Sequence, residues 1–111
     1  MQTNIINLDK FRSEVNGVKS RIFSGRLRGE DVRKKSKIDD IFAKNHTVEI
    51  IIPEDIFSIT PSFFEEFIKN IVEKYGKEQT LKRLEFKGSY AYSTPLNNAI
   101  DNILLTKNGL N

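Results

Sequence analysis

Residues able to carry out covalent or proton-transfer chemistry are sparse in this chain. It contains no cysteine and one histidine, His46, which stands at the predicted junction of a helix and a strand. Neighbouring carboxylates occur at Asp39-Asp40 and Glu65-Glu66, but successive residues on a helix diverge by about 100° and do not converge on one point. No Cys/His metal-ligand spacing and no phosphate-cradling glycine motif is present. We therefore expect no catalytic residue, no metal site, no cofactor and no enzyme activity.

Hydroxyl groups cluster at the start of the clearest predicted helix. Thr60-Pro61 matches an N-cap followed by a proline at the first helical position. Ser62, with Glu65 three residues later, offers a competing capping box, so both starts remain open. Ser62 is therefore either a cap, worth on the order of 1 kcal/mol, or a candidate phosphoacceptor. Ser58 and Thr60 are expected to shape the loop before it.

The same helix has one apolar half, which is typical of a helix that packs on a sheet. Its members are Phe63, Phe64, Phe67, Ile68, Ile71, Val72 and Tyr75. Phe63 lies at the edge of that half, and two interpretations stay open: it is a core residue or an exposed hydrophobic contact for a partner. Gly76 fits the left-handed residue that ends many helices.

Positive charge is concentrated in the segment from 19 to 37, where eight basic residues face two acidic ones in a chain of net charge +3. In one interpretation Arg33, Lys34, Lys35 and Lys37 form the solvated face of a helix. In the other, Arg21, Arg26 and Arg28 bind an acidic protein, a nucleotide or a nucleic acid, because a guanidinium binds carboxylate or phosphate bidentately. No aromatic interleaving supports base stacking. Nucleic-acid binding by this segment remains the alternative function.

Strands and helices alternate along the chain. We predict strands at 4–8, 18–24, 47–52 and 83–87, helices at 30–44, 60–76 and 94–106, a turn at Asn16-Gly17 and a basic loop at 26–29. A polar connection follows at 77–82, either irregular or with one helical turn. The apolar run 47–52 predicts a central strand buried on both faces. This order predicts an α/β protein with a mostly parallel sheet.

Length and composition fit one small globular domain over 1–111, with a frayed tail at 107–111. The first residues lack the basic start and apolar run of a signal peptide, and no run of about 18 apolar residues occurs. The absence of cysteine fits a reducing compartment. We expect a cytoplasmic protein that makes no membrane contact.

Three stretches resemble a known family: Ser24–Arg28, Val48–Ile52 and Ile59–Phe67. They look like the bacterial STAS-like domains of unknown function, and the order of elements is similar to the STAS fold of anti-sigma-factor antagonists. The resemblance covers roughly residues 18–106. It implies a four- to five-stranded mixed, mostly parallel sheet, with about three helices packed mainly on one side, and no enzyme activity.

The resemblance also implies a site. In the antagonist family the matching helix start reads Asp-Ser-Ser/Thr-Gly, and a partner kinase phosphorylates the second hydroxyl residue, whose position falls on Ser62. This chain departs from that pattern, because Thr60 stands at the Asp position and Phe63 at the Gly position. Similar domains are associated with histidine-kinase-like ATPases, which are therefore the expected partner class.

Together these features predict a non-catalytic regulatory module that binds another protein through the start of the Ser62 helix. Ser62 is the candidate phosphoacceptor, and the partner-binding residues are Ser58, Thr60, Phe63, Arg26 and Arg28. Phe63 would supply a hydrophobic contact, and the two arginines an electrostatic one. The sequence leaves the oligomeric state open.

Overall fold

A computed structural model describes residues 4–107. The elements in chain order are β1 (Ile5–Asn7), a 3-10 helix (Leu8–Phe11), β2 (Glu14–Val15), β3 (Val18–Lys19), β4 (Ile22–Phe23), α1 (Arg26–Ser36), α2 (Ile38–Lys44), β5 (Val48–Ile51), β6 (Ser58–Ile59), α3 (Pro61–Phe67), α4 (Lys69–Arg83), β7 (Leu84–Lys87) and α5 (Ser93–Lys107). The predicted α/β class and the mostly parallel pairing are confirmed. Of the predicted frayed tail, 108–111 lie outside the described residues.

The main sheet has three parallel strands in the order β1-β5-β7, so the predicted central strand is confirmed. Ile6, Ile50 and Phe86 lie side by side across it. Its buried residues share one face, because Val48 and Ile50 are buried whereas the alternating Glu49 and Ile51 are only partly buried. The prediction of burial on both faces is therefore wrong.

Two further pairs of strands lie outside this sheet. β2 and β3 form an antiparallel hairpin, and its turn residues Asn16 and Gly17 have positive φ angles of 52° and 79°, which confirms the predicted turn. β4 pairs with β6 in parallel. The predicted strand 18–24 is thus two short strands, of which β3 pairs with β2 and β4 pairs with β6. A single four- to five-stranded sheet is not confirmed in the described residues.

The helices are more numerous than expected, with five α-helices among residues 4–107. The predicted basic loop 26–29 is wrong, because it forms the first turn of α1. The predicted helix 30–44 breaks at Lys37, which adopts left-handed angles (φ 59°, ψ 35°). The helix that starts at Pro61 breaks at Ile68 (φ −110°). Gly76 has the predicted positive φ, but the chain continues beyond it as helix to Arg83. The stretch 77–82 is thus helical along its whole length, which is more than the single helical turn that the sequence left open there.

The core is aromatic where α3 packs. Phe63, Phe64 and Phe67 are fully buried, and the Phe63 ring lies 5.2 Å from that of Phe23. α1 crosses α3 closely at Gly29, where an added Cβ would overlap the carbonyl oxygen of Phe63. None of the helices among residues 4–107 combines the length and apolar character needed to cross a bilayer.

Candidate functional site

The candidate site lies where two parallel strands each run into a helix. β4 leads through Ser24 and Gly25 into α1, and β6 leads through Thr60 into α3. Because β4 and β6 are neighbours, the two helix starts lie side by side. The backbone N–H of Gly25 donates to Thr60 Oγ1 at 3.2 Å and joins them. Gly25 has φ 90° and ψ 158°, a conformation that favours glycine.

Thr60 is the N-cap of α3. Its Oγ1 accepts from the N–H of Phe63 at 3.3 Å and lies 3.0 Å from Ser62 Oγ. A hydroxyl has two lone pairs and one hydrogen. Either hydroxyl can be the donor in the Thr60–Ser62 contact, and the N–H of Phe63 also lies 3.1 Å from the Thr60 carbonyl oxygen. The predicted Thr60-Pro61 start is confirmed, and the alternative in which Ser62 caps the helix is wrong.

Ser62 is hydrogen-bonded to the cap residue Thr60 and does not itself cap the helix. Its side chain is half-buried in the first turn of α3. Ser58 precedes it in β6, paired with Ile22, and is also half-buried.

Arg26 lies beside the same turn of α3. Its Nη1 is 2.8 Å from Glu65 Oε1 and 3.9 Å from Glu66 Oε2, while 60% of the arginine side chain remains exposed. These glutamates follow Ser62 by three and four residues, so they share its side of the helix. Asn102 of α5 donates to the other oxygen of Glu65 at 3.2 Å. The structure thus brings Arg26 within about one helical turn of Ser62.

Phe63 lies in the core. Its side chain is 0% exposed and contacts Phe23, Phe64 and Phe67. The interpretation of Phe63 as a hydrophobic contact for a partner is wrong. The edge of the apolar half on which Phe63 lies is buried where α3 crosses α1. Leu27, at the start of α1, is 84% exposed, and Phe57, just before β6, is 75% exposed.

Arg28 is used within the chain. Its Nη1 donates to Asp31 Oδ2 at 2.7 Å, and its Nη2 donates to the carbonyl of Phe11. These bonds fasten the 3-10 helix to α1, so the structure does not bring Arg28 together with Arg26 and Ser62. The position of Arg28 therefore does not support the expectation that it binds a partner protein.

The basic segment carries many internal ion pairs. Six of its eight basic side chains lie within 4.0 Å of a carboxylate: Lys19, Arg26, Arg28, Arg33, Lys34 and Lys35. A seventh, Arg21, donates from Nε to the carbonyl of Asp55 at 3.0 Å. Local acidic residues therefore reduce the positive field that a phosphate backbone would meet.

Arg12 anchors the loop that leads to β6, a role the sequence did not signal. Its side chain is 5% exposed and donates to Asp55 at 2.8 and 3.0 Å, to Asp9 at 3.1 Å and to the carbonyl of Ser20 at 2.9 Å. Hydrogen bonds from Lys19 and then Arg12 lower the pKa of Asp9. The Arg12 hydrogen bond likewise lowers the pKa of Asp55.

Leu27 and Phe57 were also not predicted from the sequence as exposed apolar residues. Leu27 stood inside a supposed basic loop, and a single apolar residue between two arginines gives no periodic signal. Phe57 stands in an irregular stretch to which no strand or helix period applies.

Comparison of the chain with protein-family models, with curated proteins and with solved structures found no match.

Proposed function

We propose that this protein is a non-catalytic, cytoplasmic regulatory module of the STAS-like kind, which binds another protein through the paired starts of α1 and α3. The observation that carries the proposal is the hydrogen-bonded chain from Gly25 through Thr60 to Ser62. These hydrogen bonds hold the Ser62 hydroxyl between two strand-to-helix turns. This part of the chain contains no nucleophile paired with a general base. The partner class we propose is a histidine-kinase-like ATPase.

Ser62 is the proposed point of regulation. A phosphate on its hydroxyl would add about −1.5 to −2 charges. Glu65 and Glu66 on the same side of α3 would repel it, whereas Arg26 now neutralises them. The phosphate would therefore compete with Glu65 for the guanidinium of Arg26, and the surface around Arg26 would change. Glu66 keeps a second partner in Arg33, whose Nη1 lies 3.4 Å from its Oε1. Competition of this kind is how phosphorylation commonly alters a docking surface.

Leu27 takes the place of Phe63 in this proposal. A single exposed apolar side chain is ordinary on a protein surface, and we propose Leu27 as a contact because it lies in the same helical turn as Arg26. Leu27 follows Arg26 in the first turn of α1 and is 84% exposed, while 60% of the Arg26 side chain is exposed. Arg26 and Leu27, with Thr60 and Ser62, are the proposed contact residues. Ser58 positions the strand that leads to them.

Quantitative affinity capture from the native host tests the proposal. Wild-type protein, Ser62→Asp and Leu27→Asp are the baits, and Glu78→Lys on the exposed side of α4 is the control. We expect one ATPase-like protein that wild type and control enrich equally and that both site variants lose. The same ATPase should phosphorylate wild type but not Ser62→Ala, as measured by intact mass. Equal enrichment by all four baits would overturn the proposed surface.

Nucleic-acid binding is the alternative, and a mobility-shift titration at two salt concentrations discriminates it. Binding driven by phosphate contacts weakens steeply with salt. The internal ion pairs of the basic segment argue against such binding. A salt-sensitive shift that disappears in Lys34→Ala/Lys35→Ala would favour the alternative instead.

A further inference from the structure

The outer edges of the strands differ in how their backbone groups are satisfied. In the β4–β6 pair, the carbonyls of Arg21 and Phe23 accept from the β6 side, so the N–H and C=O of Ile22 point away from β6. The Ser20 hydroxyl closes this edge. It accepts from the Ile22 N–H at 3.2 Å and donates to the Ile22 carbonyl at 3.1 Å.

The opposite edge of the same pair is closed in the same way. The Tyr90 hydroxyl accepts from the N–H of Ile59 at 3.1 Å and lies 3.4 Å from its carbonyl. A strand from another chain could pair at either edge only by displacing a hydroxyl. Closing edges in this way protects a protein from unwanted strand pairing.

The outer edge of β7 is different. β7 is a terminal strand of the main sheet, and Lys87 faces β5, because its carbonyl accepts from the Ile52 N–H at 2.8 Å. Successive backbone groups point to opposite edges, so the N–H and C=O of Phe86 point outward. Within residues 4–107 these two groups make no hydrogen bond. The edge therefore offers one donor and one acceptor to an extended backbone.

The residues on either side of Phe86 select the occupant. Glu85 and Lys87 are both exposed and share the face of the sheet opposite to Phe86. Consider a second β7 that runs antiparallel, with the two Phe86 residues opposite each other and exchanging both hydrogen bonds. Glu85 of each copy then lies opposite Lys87 of the other, and opposite charges placed in this way stabilise a strand pair. This edge is complementary to itself in both hydrogen bonding and charge.

We propose that β7 binds the β7 edge of a second copy of this chain, in antiparallel register centred on Phe86. Two three-stranded sheets then join into one continuous sheet across a two-fold axis, the symmetry most common in homodimers. This interface uses no residue of the proposed Ser62 site. The dimer and the regulatory function can therefore fail or succeed independently.

Charge exchange tests the register. Sedimentation of the full chain over a wide concentration range gives the dissociation constant of the dimer. Glu85→Lys or Lys87→Glu places like charges opposite each other twice, and each should raise this constant by about tenfold or more. The double variant restores opposite charges and should return it to near the wild-type value. Glu78→Lys makes the same charge change at an exposed site on α4 and should leave it unchanged.

Cross-linking gives a second readout, since the chain has no cysteine of its own. Residues opposite each other in a non-hydrogen-bonded pair have Cα atoms about 4.5 Å apart, within the range of a disulfide. Glu85→Cys mixed with Lys87→Cys should therefore form a disulfide-linked dimer under mild oxidation. Neither variant should do so alone, because identical positions lie on the longer diagonal of about 7–8 Å.

Three results would overturn the proposal. The first is a wild-type protein that remains monomeric up to millimolar concentration. The second is a dimer with the same dissociation constant in both single charge variants. The third is a cross-link that forms as readily in either cysteine variant alone as in the mixture. Circular dichroism of each variant confirms that it is folded before these comparisons are made.

Discussion

The N–H of Gly25, at the start of α1, donates to Oγ1 of Thr60, at the start of α3, although the two residues are 35 positions apart in the sequence. The same oxygen caps α3 through the N–H of Phe63. One side chain therefore fixes the first turn of one helix and the entry to another. The arrangement of Ser62 and Arg26 depends on this contact, since each lies in one of the two helix starts.

Removing the Thr60 hydroxyl should destabilise the protein. Thr60→Val keeps the shape of the side chain but leaves the N–H of Gly25 without its acceptor and leaves the N–H of Phe63 only the Thr60 carbonyl, at 3.1 Å. We expect a loss of about 1–2 kcal/mol in the free energy of unfolding, as for other N-cap replacements. Thr60→Ser keeps the hydroxyl and should lose less than half of that. Urea unfolding followed by circular dichroism measures both, and equal losses would contradict the assigned role of the hydroxyl.

Gly29 should tolerate no larger side chain. A Cβ at this position would overlap the Phe63 carbonyl and approach Glu66 Cβ to 3.0 Å, so α1 and α3 would have to separate. We expect Gly29→Ala to lower the free energy of unfolding by about 2 kcal/mol, because the overlap outweighs the roughly 1 kcal/mol that alanine adds in helix propensity. Lys35→Ala, at an exposed site on the same helix, should change it by less than about 0.5 kcal/mol. A more stable Gly29→Ala would show that the helices separate at little cost.

The sequence predicted features that have local causes. The Asn16-Gly17 turn, the Thr60-Pro61 helix start and the positive φ of Gly76 each follow from the conformational preferences of one or two residues. The central position of β5 followed from its apolar composition. Ser62 and Arg26 were both selected from the sequence, and the structure places them at adjacent helix starts.

The features that the sequence did not predict depend on distant contacts. Arg12 and Asp55 are 43 residues apart, and neither stands in a pattern that links them. The burial of Phe63 depends on how closely Gly29 lets α1 approach, which a helical wheel cannot show. Lys37 breaks a helix although lysine favours helix, because the tertiary contacts of α1 and α2 override its local preference.

Stability should fall in acid through the Arg12 contacts. The pKa values of Asp9 and Asp55 in the folded protein lie below the ordinary value of 3.8. Their stabilising contribution is therefore complete above the unfolded-state pKa, near 3.8, and is lost as the pH falls through the lower folded-state values. Urea unfolding between pH 5 and pH 2 measures this loss.

The Asp55→Asn variant isolates the effect of one carboxylate. It removes the charge that Arg12 binds and should unfold more easily than wild type at neutral pH. Because it lacks one of the two groups that titrate, its free energy of unfolding should depend less steeply on pH below 4 than that of wild type. The same slope in both proteins would mean that other carboxylates dominate acid unfolding.

Replacing Lys37 by glycine should stabilise the protein. Lys37 has φ 59° and ψ 35°, and its N–H donates to the carbonyl of Arg33 at 3.2 Å, which ends α1. A left-handed residue other than glycine costs about 1–2 kcal/mol, and glycine returns part of this through its greater freedom in the unfolded chain. We expect a net gain of about 0.5 kcal/mol. Lys35→Gly, two residues earlier in regular helix, should instead lose about 1 kcal/mol. Thermal unfolding of both variants checks the opposite signs, and a loss in both would show that the left-handed lysine carries no strain.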